Sequence, residues 1–239
     1  MSSRYRRGIH FGTSMGTTVP QMRLDRIRVV FEDDSVIVVD KPAGLLTMAT
    51  NTERSKTVYA ILRQYLNHKK PREALFIVHR LDREASGLLV FAKTVQAKER
   101  LQDQFKSHTA GRRYVAVVEG RAKSDDFTIR SYLRENAAYQ VYSTPNTKIG
   151  KLAVTHVHVL NRTAKTTVLE VRLETGRKHQ IRVHLADSGL PIIGDKNYGA
   201  RSNPIRRLAL HAAHLDFKHP ATGEFISLDA SYPKIFDTL

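Results

Sequence analysis

The sequence contains no cysteine and no tryptophan among its 239 residues. Without thiols the chain cannot form disulfides, iron–sulfur clusters or a cysteine nucleophile, and nearly every structural zinc site is excluded as well. Acidic residues are also scarce, since 23 Asp and Glu stand against 39 Lys and Arg and leave a formal net charge of +16. This excess of positive charge favours a polyanionic partner, with nucleic acid ahead of an anionic membrane surface.

The sequence lacks an apolar run of the roughly 18 residues that a membrane-spanning helix needs, so we expect a soluble protein without a membrane partner. Residues 1–22 carry arginines but no acid, and they have no hydrophobic segment of secretory-signal length. We expect these residues to form a disordered basic tail, with an organellar transit peptide as the alternative. The absence of cysteine fits a reducing compartment, and the expected location is the cytoplasm.

Residues 23–239 show no repeat and no low-complexity linker. Their patterning predicts one α/β (α+β) domain, built on a mixed, largely antiparallel sheet that is flanked by helices. The predicted strands cover 27–31, 36–39, 75–78, 87–92, 113–118, 154–160 and 167–173, with a C-terminal meander at 208–210, 215–217 and 225–228. Helices are predicted from Ser55 to about Arg72, from Thr94 to about Lys106 and from Lys178 to about Asp187. The stretch 121–150 has no clear pattern and could be an insertion.

Several common catalytic motifs are absent. The chain has neither the glycine-rich turn of dinucleotide-binding proteins nor a phosphate-binding loop, so a nucleotide cofactor has no support. His156 and His158 fall on one face of a predicted strand, and His211 and His214 are three residues apart, so either pair could bind a metal. Without cysteine or convergent carboxylates, we expect histidines with ordinary hydrogen bonds and no metal site.

The most informative segment is His79–Thr94, which places Asp82 between Arg80 and Arg83, directly before a small-residue turn and a buried strand. Guanidinium groups favour the ionised form of a neighbouring carboxylate. An ionised, partly buried aspartate suits a nucleophile or a base at neutral pH. From the spacing alone, a surface ion pair is the simpler interpretation.

The sequence HRLDREASGLL within this segment resembles the signature of the RluA family of pseudouridine synthases, and further motifs agree in the same order along the chain. These motifs lie at 41–47, 113–116, 150–155, 176–185, 189–199 and 210–220. The resemblance covers about residues 27–233, and Ala85 stands where the family generally has threonine. The separate N-terminal RNA-binding module of many members is expected to be absent, because only 26 residues precede the first predicted strand.

The resemblance implies an isomerase that cleaves the C1′–N1 bond of a uridine in RNA, turns the uracil and rejoins it through C5. It implies that Asp82 is the catalytic carboxylate, Arg182 its ion-pair partner and Tyr114 the ring that stacks on the uracil. Whether Asp82 attacks C1′ or first removes a ribose proton is left open. Since the reaction transfers nothing to an outside acceptor, we expect no cofactor, metal or nucleotide.

The resemblance also implies RNA contacts around the site. Because the uridine must leave its stack, Arg80 is a candidate for the gap that it leaves. The basic candidates for RNA binding are Arg80, Arg83, Lys41, Arg177 and Lys178. Lys41 is expected mainly to shape the pocket and could also contact a phosphate. The apolar wall is assigned to Leu210 and Ile181, with Leu208 as the second choice to Leu210.

The expected substrate is a structured RNA, either ribosomal or transfer RNA, bound by a monomer. The alternative is a catalytically inactive RNA-binding or ribosome-assembly factor of the same fold. The joint presence of Asp82, Tyr114 and Arg182 favours the enzyme, because a binding protein needs no acid, cation and aromatic set. A DNA-binding protein is a third and weaker interpretation, since the chain has no helix-turn-helix signal.

Overall fold

The computed structural model describes residues 23, 24, 26–50, 53 and 55–239, so the predicted tail of residues 1–22 lies outside the described residues. Within them, strands form one sheet and three α-helices pack against it. The strands are β1 (Arg23–Leu24), β2 (Ile27–Glu32), β3 (Val36–Lys41), β4 (Phe76–Ile77), β5 (Ser86–Ala92), β6 (Gly111–Glu119), β7 (Asp126–Glu135), β8 (Val141–Thr144), β9 (Lys151–Arg162), β10 (Thr166–Leu173), β11 (Leu210–Lys218) and β12 (Phe225–Asp229). The helices are α1 (Val58–Lys69), α2 (Val95–Lys106) and α3 (Gln180–Asp187), with short 3₁₀ helices at Lys196–Tyr198 and Lys234–Thr238. No helix of the described residues is long and apolar enough to span a membrane.

The strands are ordered β1-β2-β3-β5-β11-β6-β10-β9-β7-β8 across the sheet, with β4 paired to β5 and β12 paired to β11. Among the strand pairs of the described residues, only β5 and β11 run parallel, and all others are antiparallel. The predicted fold, a mixed and largely antiparallel sheet flanked by helices, is confirmed.

The parallel contact between β5 and β11 depends on Gly87. This residue has a φ of +113° and pairs with Ala212, and a Cβ at position 87 would lie 2.3 Å from the Ala212 carbonyl oxygen. Such a conformation and such a close approach of two backbones are open only to glycine. The strand predicted from Gly87 to Ala92 is thus observed, and it begins one residue earlier, at Ser86.

The centre of the sheet is buried on both faces, which explains its continuous apolar strands. In β3, Ile37 and Val39 belong to one core cluster, while Val36 and Val38 belong to a second cluster on the opposite face. The first cluster takes in the buried residues of α1 and part of α3, and the second those of α2. Helices thus cover both faces, and the site lies on the side of α1 and α3.

The helix boundaries follow the capping side chains. The prediction for α2 is confirmed, because Thr94 caps its start and the helix ends at Lys106. In α1, the hydroxyl of Thr57 accepts the capping hydrogen bond, so the helix begins after this residue and not after Ser55, and it ends at Lys69.

The start of α3 differs from the prediction in a way that affects the site. His179 has a left-handed backbone with φ of +52°, so the helix begins at Gln180 and not at Lys178. The buried Gln180 side chain accepts hydrogen bonds from the Thr175 hydroxyl at 2.8 Å and the Arg177 N–H at 3.0 Å. Residues 176–179 consequently form a tight loop beside the cavity described below.

The C-terminal third contains one long strand where the sequence predicts two short ones. Residues 208–210 and 215–217 are predicted as separate strands, but β11 runs without a break from Leu210 to Lys218. His211 and His214 are buried within it. Their rings have hydrogen-bond partners there, Ser86 at 2.8 Å and Asp229 at 2.6 Å, respectively. In the stretch 121–150, β7 and β8 form a hairpin that extends the sheet beyond β9.

Candidate active site

A cavity of about 130 Å³ opens beside the loop that joins β4 to β5. Its walls come from this loop, from β6, from residues 173–182 and from the start of β11. Most residues predicted for the site line it, namely Arg80, Asp82, Tyr114, Arg177, Lys178, Ile181, Arg182 and Leu210. Lys41, Arg83 and Leu208 are not part of its lining. Segments from four distant parts of the chain therefore converge on one cavity.

Asp82 lies at this cavity with its side chain 16% exposed. One carboxylate oxygen is 3.4 Å from Nη1 of Arg182, and the other is 3.9 Å from Nε2 of His179. The structure thus brings the predicted acid and the predicted cation together across 100 residues of sequence. Because these contacts are long, the carboxylate oxygens stay available to a bound molecule.

Arg182 is buried, and its principal partner is Asp195. Nε and Nη2 donate to the two oxygens of this aspartate at 2.7 and 2.8 Å, a bidentate arrangement that leaves Nη1 to face Asp82. Burial acts to lower the pKa of the guanidinium, but the hydrogen bonds and charge of Asp195, together with the charges of Asp82 and Glu84, raise it. The cation is therefore permanent, and it is fixed in direction before any substrate binds.

Tyr198 and Glu84 complete the surroundings of this guanidinium. The Tyr198 ring lies with its centroid 4.9 Å from Cζ of Arg182, which adds a cation–π contact. Glu84 is 3.6 Å from Nη1, but its side chain is about half exposed, at 48%. Solvent screens a carboxylate in that position, so Glu84 contributes less than Asp195 to holding Arg182.

Tyr114 is buried in β6 and presents its ring to the cavity. Burial raises the pKa of its hydroxyl, and the nearby charge of Asp82 acts in the same direction. The side chain is thus a neutral aromatic surface at physiological pH. Leu210 and Ile181, both buried, belong to the apolar part of the lining, together with Leu81, Ala85 and Leu173.

Sequence reasoning missed the contribution of His179. Its Nδ1 bonds to the Tyr198 hydroxyl at 2.8 Å, and the two rings meet edge to face. Burial and the charge of Arg182 lower the pKa of this imidazole, although Asp82 acts to raise it. His179 and Asp195 both stand within segments that match the family motifs, so the motifs pointed to these positions without giving their roles.

The basic side chains at the cavity differ in how freely they can meet RNA. Arg80 and Arg177 are exposed. Lys178 forms an ion pair with Glu135 and lies 5.5 Å from the centre of the Tyr139 ring. Arg112, which the sequence analysis did not select, also lines the cavity and stacks on Phe105. This set leaves a positive rim around the aspartate.

Lys41 lies beneath the site and does not reach its surface. The side chain is fully buried, and Nζ donates to the carbonyl oxygens of Pro42 at 3.0 Å, Leu45 at 2.7 Å and Arg83 at 3.2 Å. Burial lowers the pKa of this amine to about 7. The expected phosphate contact is contradicted, because Nζ faces carbonyl oxygens and not solvent. Arg83 is exposed and donates from Nε to the Gly44 carbonyl at 3.2 Å.

The two histidine pairs that could have bound a metal have hydrogen-bond partners instead. The rings of His156, His158, His211 and His214 bond to Glu174, Asp126, Ser86 and Asp229, respectively. Within the described residues, no three side chains of the metal-binding types cluster together.

Comparisons with known proteins identify the family of the chain. The sequence profile of the RNA pseudouridylate synthase family matches residues 35–187. The chain is 39% identical over 210 residues to YlyB, an uncharacterized RNA pseudouridine synthase of Bacillus subtilis (strain 168), a match that covers 86% of this chain and 69% of that protein. It is 35% identical over 225 residues to the ribosomal large subunit pseudouridine synthase D of Zymomonas mobilis, covering 87% of this chain and 70% of that one.

The solved structure of human RNA pseudouridylate synthase domain containing 4 has the same fold, with a TM-score of 0.72 over 87% of this chain and 90% of that chain at 23% identity. The family match and the named relatives make the chain an RNA-modifying isomerase with this fold. The chain belongs to the RNA pseudouridine synthase family, in the RluA type that its motifs resemble, and it converts uridine in RNA to pseudouridine.

Proposed function

We propose that Asp82 is the catalytic carboxylate of this isomerase, that Arg182 keeps it ionised and that Tyr114 supports the uracil. The observation that carries the proposal is the direction of the Arg182 side chain. Two of its nitrogens are held by Asp195, and the third faces Asp82 at 3.4 Å. A fixed cation stabilises a negative carboxylate without reorganising during the reaction.

The reaction begins with a uridine that is turned out of its stack into the cavity. The C1′–N1 bond breaks, the uracil rotates, and C5 forms the new bond to C1′. C5 then loses its proton and N1 carries one, so the product has the composition of the substrate. Tyr114 supports the uracil through the face of its ring, which accepts the base in both orientations. Asp82 either attacks C1′ or removes a ribose proton, and both routes need the same ionised carboxylate.

The positive rim supports the proposal that the RNA backbone passes across the cavity mouth. Arg80 and Arg177 both line the cavity and are exposed, one before Asp82 and one before α3. Guanidinium groups pair well with phosphates, and Arg80 is suited to fill the gap left by the uridine. Arg83, which is exposed in the loop between β4 and β5, adds a further positive charge.

The proposed substrate is ribosomal RNA, bound by a monomer without a cofactor. Support comes from relatives that are named ribosomal large subunit pseudouridine synthase D, of which that of Zymomonas mobilis is 35% identical. Mapping pseudouridines in total RNA from cells with and without this gene tests the substrate. Loss of sites in the large ribosomal RNA is expected, and loss confined to transfer RNA would overturn the assignment.

The role of Asp82 is tested with Asp82→Asn, which keeps the shape and removes the charge. We expect no pseudouridine from this variant, while its RNA affinity stays within about tenfold of the wild type, or about 1.4 kcal/mol. Asp103→Asn, a change of the same kind on α2 at the opposite face of the sheet, serves as the control and should retain activity. Turnover by Asp82→Asn would remove the proposed mechanism.

A further inference from the structure

The loop that carries Asp82 has no regular secondary structure between the end of β4 and Ser86. Its shape therefore depends on hydrogen bonds from other segments. After Asp82, the carbonyl oxygen of Arg83 accepts a bond from the Gly44 N–H at 2.7 Å and one from Nζ of Lys41 at 3.2 Å. The segment 41–47 thus holds the loop directly after the aspartate, at Arg83.

Thr47 holds the loop directly before the aspartate, through both polar backbone groups of Leu81. Its hydroxyl donates to the Leu81 carbonyl oxygen at 2.9 Å and accepts from the Leu81 N–H at 3.2 Å. A hydroxyl offers one proton and two lone pairs, so this one side chain satisfies both groups. The Leu81 carbonyl and the Asp82 nitrogen share one rigid peptide plane, so holding the first orients the second.

Thr47 is itself fixed in place. Its side chain is buried, and its carbonyl oxygen accepts a bond from the Tyr59 N–H at 3.1 Å. The carbonyl of Leu46 accepts another from the Val58 N–H at 2.8 Å. These bonds dock the residue onto the first turn of α1, so that a rigid helix lies behind the hydroxyl that contacts Leu81.

We propose that Thr47 is a positioning residue for the isomerisation, and that its hydroxyl sets the distance between Asp82 and Arg182. The inference rests on the proposed catalytic role of Asp82. The contact of 3.4 Å between these two side chains is already at the limit of a hydrogen bond, so a small shift of the loop breaks it. A displacement of about 1 Å in a catalytic group costs about 100-fold in rate.

The test compares Thr47→Val with Thr167→Val. Thr167 is a matched control, since it is buried, its hydroxyl donates to the Gly120 carbonyl at 2.9 Å and it accepts from the Ala122 N–H at 3.1 Å. It makes the same two bonds as Thr47, but to a loop that does not line the cavity. Both changes replace a hydroxyl by a methyl group, so both disturb the fold in a similar way.

Single-turnover rates are measured at saturating RNA, together with the RNA dissociation constant and the folded fraction. For Thr47→Val we expect the rate to fall by about 10- to 100-fold, with RNA affinity within about threefold of the wild type. For Thr167→Val the rate per folded molecule should stay within about threefold. Thr47→Ser restores the hydroxyl and should recover most of the rate.

Equal losses in the two valine variants, or no recovery in Thr47→Ser, would overturn the proposal. Failure of the underlying function is distinguishable, because it shows as turnover by Asp82→Asn. A fully active Thr47→Val beside an inactive Asp82→Asn overturns the role of Thr47 alone.

The wild-type protein provides a measurement that does not depend on a variant folding. The amide of Leu81 should exchange its hydrogen slowly, because it is bonded to a buried hydroxyl in an otherwise irregular loop. Exchange of this amide as fast as that of exposed loop amides would mean that the bond is not formed for long enough to position Asp82, and the proposal would fail.

Discussion

Arg182 is bound more closely by Asp195 than by Asp82. The two bonds to Asp195 measure 2.7 and 2.8 Å, against 3.4 Å to Asp82. Asp195 is also the more buried of the two acids, with a side chain 1% exposed. Asp195 therefore fixes the cation, and the longer contact leaves the oxygen lone pairs of Asp82 available for the proposed reaction.

Asp195→Asn removes the charge that fixes Arg182. Breaking a buried pair by neutralising one partner costs about 3 kcal/mol of stability, so urea unfolding should show a loss of this size. The single-turnover rate should fall as well, because Arg182 is freed to turn. Glu84→Gln removes an exposed carboxylate near the same guanidinium, and it should change stability by less than about 1 kcal/mol. Similar stability losses in both variants would contradict the assignment.

Tyr114 is expected to act through its ring. Tyr114→Phe keeps the aromatic face and should retain most of the isomerisation rate, while Tyr114→Ala loses the stacking surface, worth about 1–3 kcal/mol per base, and leaves a void in β6. Single-turnover rates with saturating RNA measure both. Equal losses in the two variants would show that the hydroxyl is the important group.

Gly87→Ala should destabilise the fold severely. The added Cβ would meet the Ala212 carbonyl oxygen at 2.3 Å, in a backbone conformation that side chains rarely adopt. We expect a loss of more than about 3 kcal/mol, measured by urea unfolding. Gly189→Ala is the matched control, since Gly189 also has a positive φ but has open space around it, and this change should cost only about 1 kcal/mol. Equal costs would mean that the close approach of β5 and β11 is unimportant.

Buried histidines should make the protein sensitive to acid. Burial lowers the pKa of His184 and of His211 to about 4 and, together with the charge of Arg112, that of His79 to about 3. In the unfolded chain these groups titrate near pH 6.5. Their contribution to stability is complete above pH 6.5 and is lost as the pH falls towards 4, because the unfolded chain then binds protons that the native state does not.

The three histidines together should lower the free energy of unfolding by about 4 kcal/mol per pH unit between pH 6 and 5, at about 1.4 kcal/mol for each, and by less as the pH approaches 4. Urea unfolding at a series of pH values gives this slope. His184→Gln removes one of the groups and should reduce the slope by about a third. An unchanged slope in that variant would contradict the explanation.

Much of the fold could be predicted because local signals agreed with the tertiary structure. In α2, Thr94 is the one good cap before a clear apolar periodicity, so both ends were found. In α1, Ser55 and Thr57 are both good caps, and the choice is made by the contacts of Thr57 with the segment before it. A local pattern carries no information about such contacts. For the same reason His179, with its left-handed backbone, was assigned to the helix that it precedes.

The site residues were predicted from motifs, and the error in that prediction concerns which side chain is buried. Asp82, Tyr114 and Arg182 were chosen together and do meet at one cavity. Lys41 was expected mainly to shape the pocket, with a phosphate contact as a further role, whereas three carbonyl oxygens enclose its Nζ. The role of Asp195 in holding Arg182 follows from the distance between the two side chains, and the spacing of residues in the sequence does not give this distance.

The pairing of β5 with β11 has a consequence for how the enzyme is made. It joins Ser86 to His211, 125 residues further along the chain, and β11 occupies the middle of the sheet between β5 and β6. During synthesis, Asp82 leaves the ribosome long before Leu210 does, so a growing chain can present its basic loops to RNA while its cavity still lacks one wall. Such a nascent protein is unable to modify a uridine until β11 has been made and has paired with β5 and β6.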